Sequence, residues 1–230
     1  MAALLAISAG PAAAQSIEAA RYTDPTTRYP HAVLGDAVEP AGMEWTLSDG
    51  STRRVLWEAL IVFEDTAPRV VDVTGDGAPE VVVVESHERE GARLAVWGLA
   101  EGQPRLLAAT PFIGTRFRWL APVGVADLEG DGVIELAYVD RPHLAKVLRV
   151  WRWTDAGLVQ VDALEGLTNH RIGEPDIAGG IRDCGEGPEM IVADQSWREL
   201  RAVRLGFSLT SRRIGPHTGR DSFAAAMACE

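Results

Sequence analysis

Short apolar runs alternate with polar turns along most of the chain, a pattern typical of β-strands rather than helices. The apolar runs at 81–84, 136–139 and 190–193 are bounded by glycine, proline and acidic residues. Runs of this kind, rich in valine, isoleucine and leucine, predict strands. Ile61–Phe63 is also predicted to be a strand, although residues 59–64 come nearest to a helical pattern. Because helical periodicity is scarce, we expect an all-β protein.

The predicted strands belong to a repeated unit. Three segments share an apolar approach, an aspartate, a Gly-acid-Gly core, a glutamate and an apolar run: residues 70–85, 124–140 and 179–194. The first core glycines, Gly75, Gly130 and Gly185, are spaced by 55 residues. Third strands are predicted near 93–97, 147–151 and 199–204, and fourth strands near 104–109, 157–163 and 208–214. We therefore expect four strands per unit.

A shortened first copy is expected before these units, because residues 31–36 resemble the approach strand and residues 47–50 resemble a hairpin turn. The predicted divisions are a signal peptide (1–14), an N-terminal extension (15–29), four units at about 30–67, 68–121, 122–175 and 176–216, and a C-terminal tail. A unit this thin cannot bury both of its faces alone. The sequence therefore predicts a β-propeller-like array of about four blades, with the matched Trp97 and Trp151 packed between blades.

Two of the repeated turns carry oxygen ligands at alternate positions. Loop one (72–80) offers the side chains of Asp72, Thr74, Asp76 and Glu80 and the backbone carbonyl of Ala78. Loop two (127–135) offers the side chains of Asp127, Glu129, Asp131 and Glu135 and the backbone carbonyl of Val133. Hard oxygen donors in a tightly turning loop suit calcium. Because a divalent ion would relieve the repulsion among four carboxylates, we expect loop two to bind calcium more strongly than loop one.

The alternative is that both loops are Asp-Gly hairpin turns with acidic surfaces. An EF-hand is excluded, because its twelfth position requires a glutamate and here holds Val83 or Tyr138. A phosphate-binding loop is excluded, because acids occupy the positions that would face the phosphate. Loop three (183–189) is one residue shorter and holds Asp183, Glu186 and Glu189, and we expect it not to bind metal.

The loop sequences D-x-T-G-D-G-x-x-E and D-x-E-G-D-G-x-x-E, each followed by an apolar strand, resemble those of the FG-GAP/VCBS repeat family. The resemblance covers about residues 30–215. It implies blades like those of integrin-α β-propellers, with calcium held by the eight loop side chains named above. This sequence departs from the family in its weak first unit, its short third loop and the absence of a Phe-Gly…Gly-Ala-Pro signature. With four units rather than seven, the ring is small, open or completed by a second copy of the chain.

The charge and the first residues of the chain suggest where the protein works. The net charge of −11 makes nucleic acid and anionic membrane surfaces poor partners. The opening stretch MAALLAISAGPAAAQ resembles a secretory signal peptide cleaved after Ala14. In an exported protein, Cys184 and Cys229 are expected to form a disulfide, and no later run is long enough for a membrane span. We expect a periplasmic or secreted location.

Two functional classes remain open. The first is a calcium-binding scaffold that holds a protein or glycan ligand without catalysis. The second is a cell-envelope enzyme acting on glycans, for which His87 and His143 could share one rim of the array, with His170 near them. No catalytic motif is visible in the sequence, so we expect the binding role, and no catalytic residue is assigned.

Overall fold

The computed structural model describes residues 15–230, and the predicted signal peptide (1–14) lies outside the described residues. Four antiparallel β-sheets follow one another along the chain, and a short helix comes after them. This architecture confirms the prediction of an all-β, propeller-like fold. Between residues 15 and 230, no helix is both long enough and apolar enough to cross a membrane.

The sheets are numbered in chain order. Sheet one contains β1 (Ile17–Thr26), β2 (Glu39–Leu47) and β3 (Thr52–Leu56). Sheet two contains β4 (Ile61–Phe63), β5 (Arg69–Val71), β6 (Glu80–His87), β7 (Gly91–Ala100) and β8 (Gln103–Ala109). Sheet three contains β9 (Leu120–Ala126), β10 (Glu135–Asp140), β11 (Val147–Thr154) and β12 (Gly157–Glu165). Sheet four contains β13 (Leu167–Thr168), β14 (Gly180–Asp183), β15 (Pro188–Asp194), β16 (Glu199–Arg204) and β17 (Thr210–Pro216), and helix α1 spans Arg220–Met227.

Two of the sheets have an interrupted edge strand. In sheet two, β4 and β5 pair with different parts of β6, so that together they occupy one strand position. In sheet four, β13 and β14 pair with β15 in the same way. Sheets two, three and four therefore each have the four predicted strand positions, whereas sheet one has three.

The sheet boundaries correct the predicted units in three places. Residues 15–29, predicted as an extension, contain β1, which is an integral strand of sheet one. Residues 31–36, predicted as an approach strand, form turns, because Gly35 has a φ of 102° that a regular strand cannot contain. Strands β4 and β13 belong to the sheets that follow them, so the boundaries predicted at 67 and 175 lie too late in the chain.

The valine run of β6 shows why the sheets stack. Successive residues of a strand point to opposite faces. Val81 and Val83 share an apolar cluster with Trp45 of sheet one, while Val82 and Val84 share another with Leu136 of sheet three. All four valines are fully buried. A continuous apolar run of this kind therefore identifies a strand that lies between two neighbouring sheets.

Apolar packing between neighbouring sheets continues through the molecule, and the two ends of the array differ from its interior. One apolar cluster joins sheets three and four, and another joins sheet four to helix α1 through Leu200 and Phe223. The outer side of sheet one is polar instead, with salt bridges between Arg21 and Glu44 and between Arg54 and Asp24. The four sheets thus form an array with a helix over its last face and charged side chains on its first.

The predicted disulfide between Cys184 and Cys229 is confirmed. It joins loop three, between β14 and β15, to the residue that follows α1 by two positions, and the two Cα atoms are 5.7 Å apart. The bond therefore ties the helix to the sheet that it covers.

The cover formed by α1 can be tested by truncating Phe223, which is 5% exposed against sheet four. We expect Phe223→Ala to lower the free energy of unfolding by about 3 kcal/mol, because it removes a buried aromatic ring and leaves a cavity. Urea denaturation followed by tryptophan fluorescence would measure the change. The same substitution at the fully exposed Phe207 is the control and should have little effect. Equal losses in the two variants would contradict the assignment of α1 as a packed cover.

Candidate cation-binding site

Loop one is a compact turn organised by Asp72. Oδ1 of Asp72 accepts the backbone N–H of Gly75 at 2.7 Å, and Oδ2 accepts that of Gly77 at 2.9 Å. Both glycines have positive φ, 76° and 87°, which lets the chain reverse within a few residues. Asp76 accepts the N–H of Ala78 at 2.8 Å. The predicted ligand positions are therefore brought together on one short loop between β5 and β6.

Glu80 lies at the end of loop one, where β6 begins, and is only 5% exposed. Its Oε2 accepts the backbone N–H groups of Val73 at 2.8 Å and Thr74 at 3.1 Å, and Thr74 Oγ1 lies 3.4 Å from Oε1. Burial raises the pKa of Glu80, and the two backbone N–H groups oppose that shift. The carboxylate is thus held in place by neutral donors.

Loop two repeats this arrangement with one addition. Asp127 accepts the backbone N–H groups of Gly130 at 2.6 Å and Gly132 at 2.8 Å, and Asp131 accepts that of Val133 at 2.9 Å. The buried Glu135 accepts the N–H of Leu128 at 2.9 Å. The two loops therefore share a backbone geometry that their matching sequences predicted.

The addition in loop two is a guanidinium group. Arg152 lies opposite Glu135 on the neighbouring strand, and its Nε donates to Glu135 at 2.7 Å. It also forms a salt bridge with Glu129. Burial raises the pKa of Glu135 to about 7, although the hydrogen bond from the Leu128 N–H opposes that shift. Arg152 therefore supplies part of the positive charge that calcium was predicted to bring to this loop.

Loop three carries more positive charge still. Glu189, which matches Glu80 and Glu135 in the repeat, forms salt bridges with three arginines: Arg182, Arg204 and Arg212. Burial would raise its pKa, but the hydrogen bonds from these arginines prevail and lower it to about 2. The prediction that loop three differs from the other two is consistent with this neutralised carboxylate.

The residue opposite the loop glutamate accounts for the difference among the loops. In sheet two this position holds Gly98, and a Cβ atom added there would lie 3.5 Å from Cγ of Glu80. Sheets three and four place Arg152 and Arg204 at the corresponding position. No salt bridge among the described residues involves a carboxylate of loop one. Loop one is therefore the loop whose negative charge is least compensated by the protein.

Within residues 15–230, no group of three His, Cys, Asp or Glu side chains is arranged to hold a metal ion. In both loops, the first aspartate directs both of its oxygens at backbone N–H groups. A carboxylate has about four lone-pair sites, so each aspartate keeps acceptor capacity beyond these bonds. The possible ligands in loop one are all oxygen atoms, and no salt bridge among the described residues neutralises its carboxylates. Oxygen ligands with net negative charge are the kind that calcium prefers.

The histidines form a second polar region. His143 Nε2 lies 3.0 Å from His170 Nδ1, and His170 Nε2 lies 2.8 Å from the carbonyl oxygen of Glu174. Because a carbonyl only accepts, His170 carries its proton on Nε2 and accepts a hydrogen bond from His143 Nε2–H at Nδ1. Burial lowers the pKa of His143 to about 4 and also lowers that of His170. Both rings are therefore neutral near pH 7.

The structure brings together only two of the three rim histidines that the sequence suggested. His87 packs instead against Phe112, with ring centroids 5.4 Å apart. Sequence reasoning missed His31, whose Nδ1 lies 2.6 Å from the fully buried Glu64. His31 and His143 both line a cavity of about 30 Å³, which is space for about one water molecule.

Comparison with protein-family models gives no match, and a search of curated proteins finds no relative. The FG-GAP/VCBS assignment therefore remains a prediction that rests on the two loop sequences and their spacing.

The buried histidine pair predicts a pH dependence of stability. A histidine whose pKa is lowered in the folded state takes up its proton more readily when unfolded, so stability is lost as the pH falls from about 6.5 towards 4. We expect His143→Gln to lose less stability than the unchanged protein over this interval, by about 1 kcal/mol per pH unit. Urea unfolding at several pH values would measure both slopes. Identical slopes would contradict the neutral, buried state of His143.

Proposed function

We propose that this protein is an exported, calcium-stabilised FG-GAP/VCBS repeat scaffold that binds a protein or glycan ligand without catalysing a reaction. The observation that carries the calcium proposal is the contrast among the three loop glutamates. Glu80 is buried near Asp72 and Asp76, and no arginine in the described part of the chain forms a salt bridge with it, whereas Glu135 and Glu189 each contact arginine. Loop one therefore replaces loop two as the stronger calcium candidate.

The electrostatic argument favours a divalent ion in loop one. Two carboxylates about 4 Å apart repel each other by about 1 to 4 kcal/mol, depending on the effective dielectric constant. A bound divalent cation converts that repulsion into attraction. Calcium suits a flexible loop that mixes carboxylate, hydroxyl and carbonyl oxygens, whereas magnesium demands a nearly ideal octahedron. The side chains of Asp72, Thr74, Asp76 and Glu80 and the carbonyl of Ala78 would hold the ion.

The ion would have a structural role. Loop one connects β5 to β6, and β6 is the strand whose two faces join sheets one and three. Fixing the start of β6 would stabilise both of these interfaces. The disulfide suits an oxidising compartment and supports the proposed periplasmic or secreted location. We also propose that two copies of the chain can assemble, so that the second copy completes the array of sheets.

A melting experiment in calcium, magnesium and chelator tests the cation site. We expect calcium to raise the melting temperature, because a ligand that binds only the folded state stabilises it by mass action. Glu80→Gln should abolish most of this increase, since it removes the one carboxylate that is buried in loop one. Differential scanning calorimetry would measure the shift.

The matched variant Glu135→Gln makes the same change in loop two. We expect it to keep most of the calcium response, because Arg152 already compensates loop two. A response lost in Glu135→Gln but kept in Glu80→Gln would place the ion in loop two instead. If calcium fails to stabilise the unchanged protein, the calcium proposal is wrong.

A glycan-cleaving enzyme is the second candidate, and the pairs His143–His170 and His31–Glu64 are the observation that favours it. A base oriented by a second side chain is a common catalytic arrangement. The cavity lined by His31 and His143 has a volume of about 30 Å³, however, which is far too small for a sugar ring. Glycan depolymerisation that is abolished by His143→Ala would establish the enzyme and contradict a purely binding role.

A further inference from the structure

A larger cavity opens between sheet three and the segment that connects sheet two to it, near the end of β10. Its volume is about 240 Å³. Six residues define its chemistry, and we call this space the interblade groove: Phe112, Tyr138, Asp140, Arg141, Arg149 and Trp151. Typical small-molecule pockets have volumes of roughly 300 to 1,000 Å³, so the groove suits a ligand the size of a single sugar ring.

The indole ring beside the groove distinguishes sheet three from sheet two. Trp151 of β11 and Trp97 of β7 occupy equivalent positions in the repeat, each pairing with the residue that follows the loop glutamate. Between sheets one and two, Trp57 packs edge-on against Trp97 with ring centroids 5.9 Å apart. Trp97 is buried, whereas Trp151 keeps partial exposure beside the groove. Sheet three therefore presents an indole ring that sheet two conceals.

The polar wall of the groove carries an excess of positive charge. Asp140 is 5% exposed and accepts both Nε and Nη2 of Arg141, at 2.8 and 3.0 Å. Asp140 also accepts Nε of Arg149 at 3.0 Å, and Arg149 Nη1 donates to Gln160 at 3.1 Å. Two guanidinium groups thus share one carboxylate. Among the described hydrogen bonds, Nη1 of Arg141 and Nη2 of Arg149 remain available as donors.

The aromatic wall of the groove offers apolar ring faces, which complement the charged groups of the polar wall. Trp151 donates its Nε1–H to the Tyr138 hydroxyl at 3.1 Å, which fixes the orientation of the indole. Phe112 also lines the groove, and Arg93 stacks over its ring at 4.5 Å from the centroid. Aromatic rings offer apolar faces to the C–H groups of a ligand, while fixed guanidinium and amide groups recognise its oxygens. A molecule with both an apolar ring face and an anionic group satisfies both walls.

We propose that the interblade groove binds a carboxylated sugar, with the pyranose ring against Trp151 and the carboxylate on Arg141 and Arg149. This inference rests on the proposed binding role and assigns it a site and a ligand class. Guanidinium groups recognise carboxylates through paired hydrogen bonds, which a neutral sugar lacks. The overall charge of −11 does not exclude such a ligand, because charges beyond about 8 Å are largely screened at physiological salt.

Titration of the full chain with glucuronic acid, glucose and acetate tests the proposal, with isothermal calorimetry and tryptophan fluorescence as readouts. We expect glucuronic acid to bind at least about tenfold more tightly than either probe, because only it has both the ring and the charge. Arg149→Gln should weaken glucuronic acid binding by about tenfold or more. Phe112→Ala should weaken glucuronic acid and leave acetate unchanged.

Arg201→Gln is the matched control. Arg201 occupies the position in β16 that Arg149 occupies in β11, but it contacts Ser211 and Glu199 and does not line the groove. Binding by this variant should equal that of the unchanged protein. Equal loss in both arginine variants would overturn the proposal, as would acetate binding as tightly as glucuronic acid. Melting curves of each variant would establish that it is folded.

The calcium response separates this inference from the proposed function. Glucuronic acid binding without a calcium response would support the groove and remove the cation site. A calcium response without glucuronic acid binding would overturn the groove and leave the cation site in place.

Discussion

Burial of both faces of the inner strands is the constraint on which the rest of the structure depends. A strand such as β6, with valine at four successive positions, has no side that can face water. It is stable only between two sheets, and each of those sheets needs a partner for its own second face. The stacking therefore ends only where a sheet does not need another sheet as a partner. Sheet one has a charged outer side, and helix α1 covers the outer side of sheet four.

The repeated acidic loops show one backbone design with three electrostatic solutions. An aspartate and two glycines build the turn, and a buried glutamate closes it in each of the first two copies. Loop three keeps the aspartate and glutamate but surrounds the glutamate with arginines. Among residues 15–230, no arginine forms a salt bridge with loop one, one does so with loop two and three do so with loop three. Backbone N–H groups and arginine side chains are thus alternative hydrogen-bond donors to the glutamate at this position of the repeat.

The strands and their repetition could be predicted because both depend on local sequence and on a period of 55 residues. The charge compensation of each loop could not, because it depends on Gly98 and Arg152, which belong to neighbouring strands whose register the loops do not determine. The first sheet was misassigned because residues 31–36 resemble a strand in composition, while β1 lacks the acidic loop that marks the other units. The pairing of His31 with Glu64 was hidden by the same misassignment.

The different ends of the array have a consequence for how such a protein could change length. An internal unit presents the same kind of apolar face on both sides, so duplication of one 55-residue unit would insert a new sheet without altering either terminal surface. The disulfide joins the end of α1 to sheet four alone, so it would be unchanged by such an insertion. Growth by internal duplication is therefore compatible with this architecture, whereas addition beyond sheet four would first have to displace the helix.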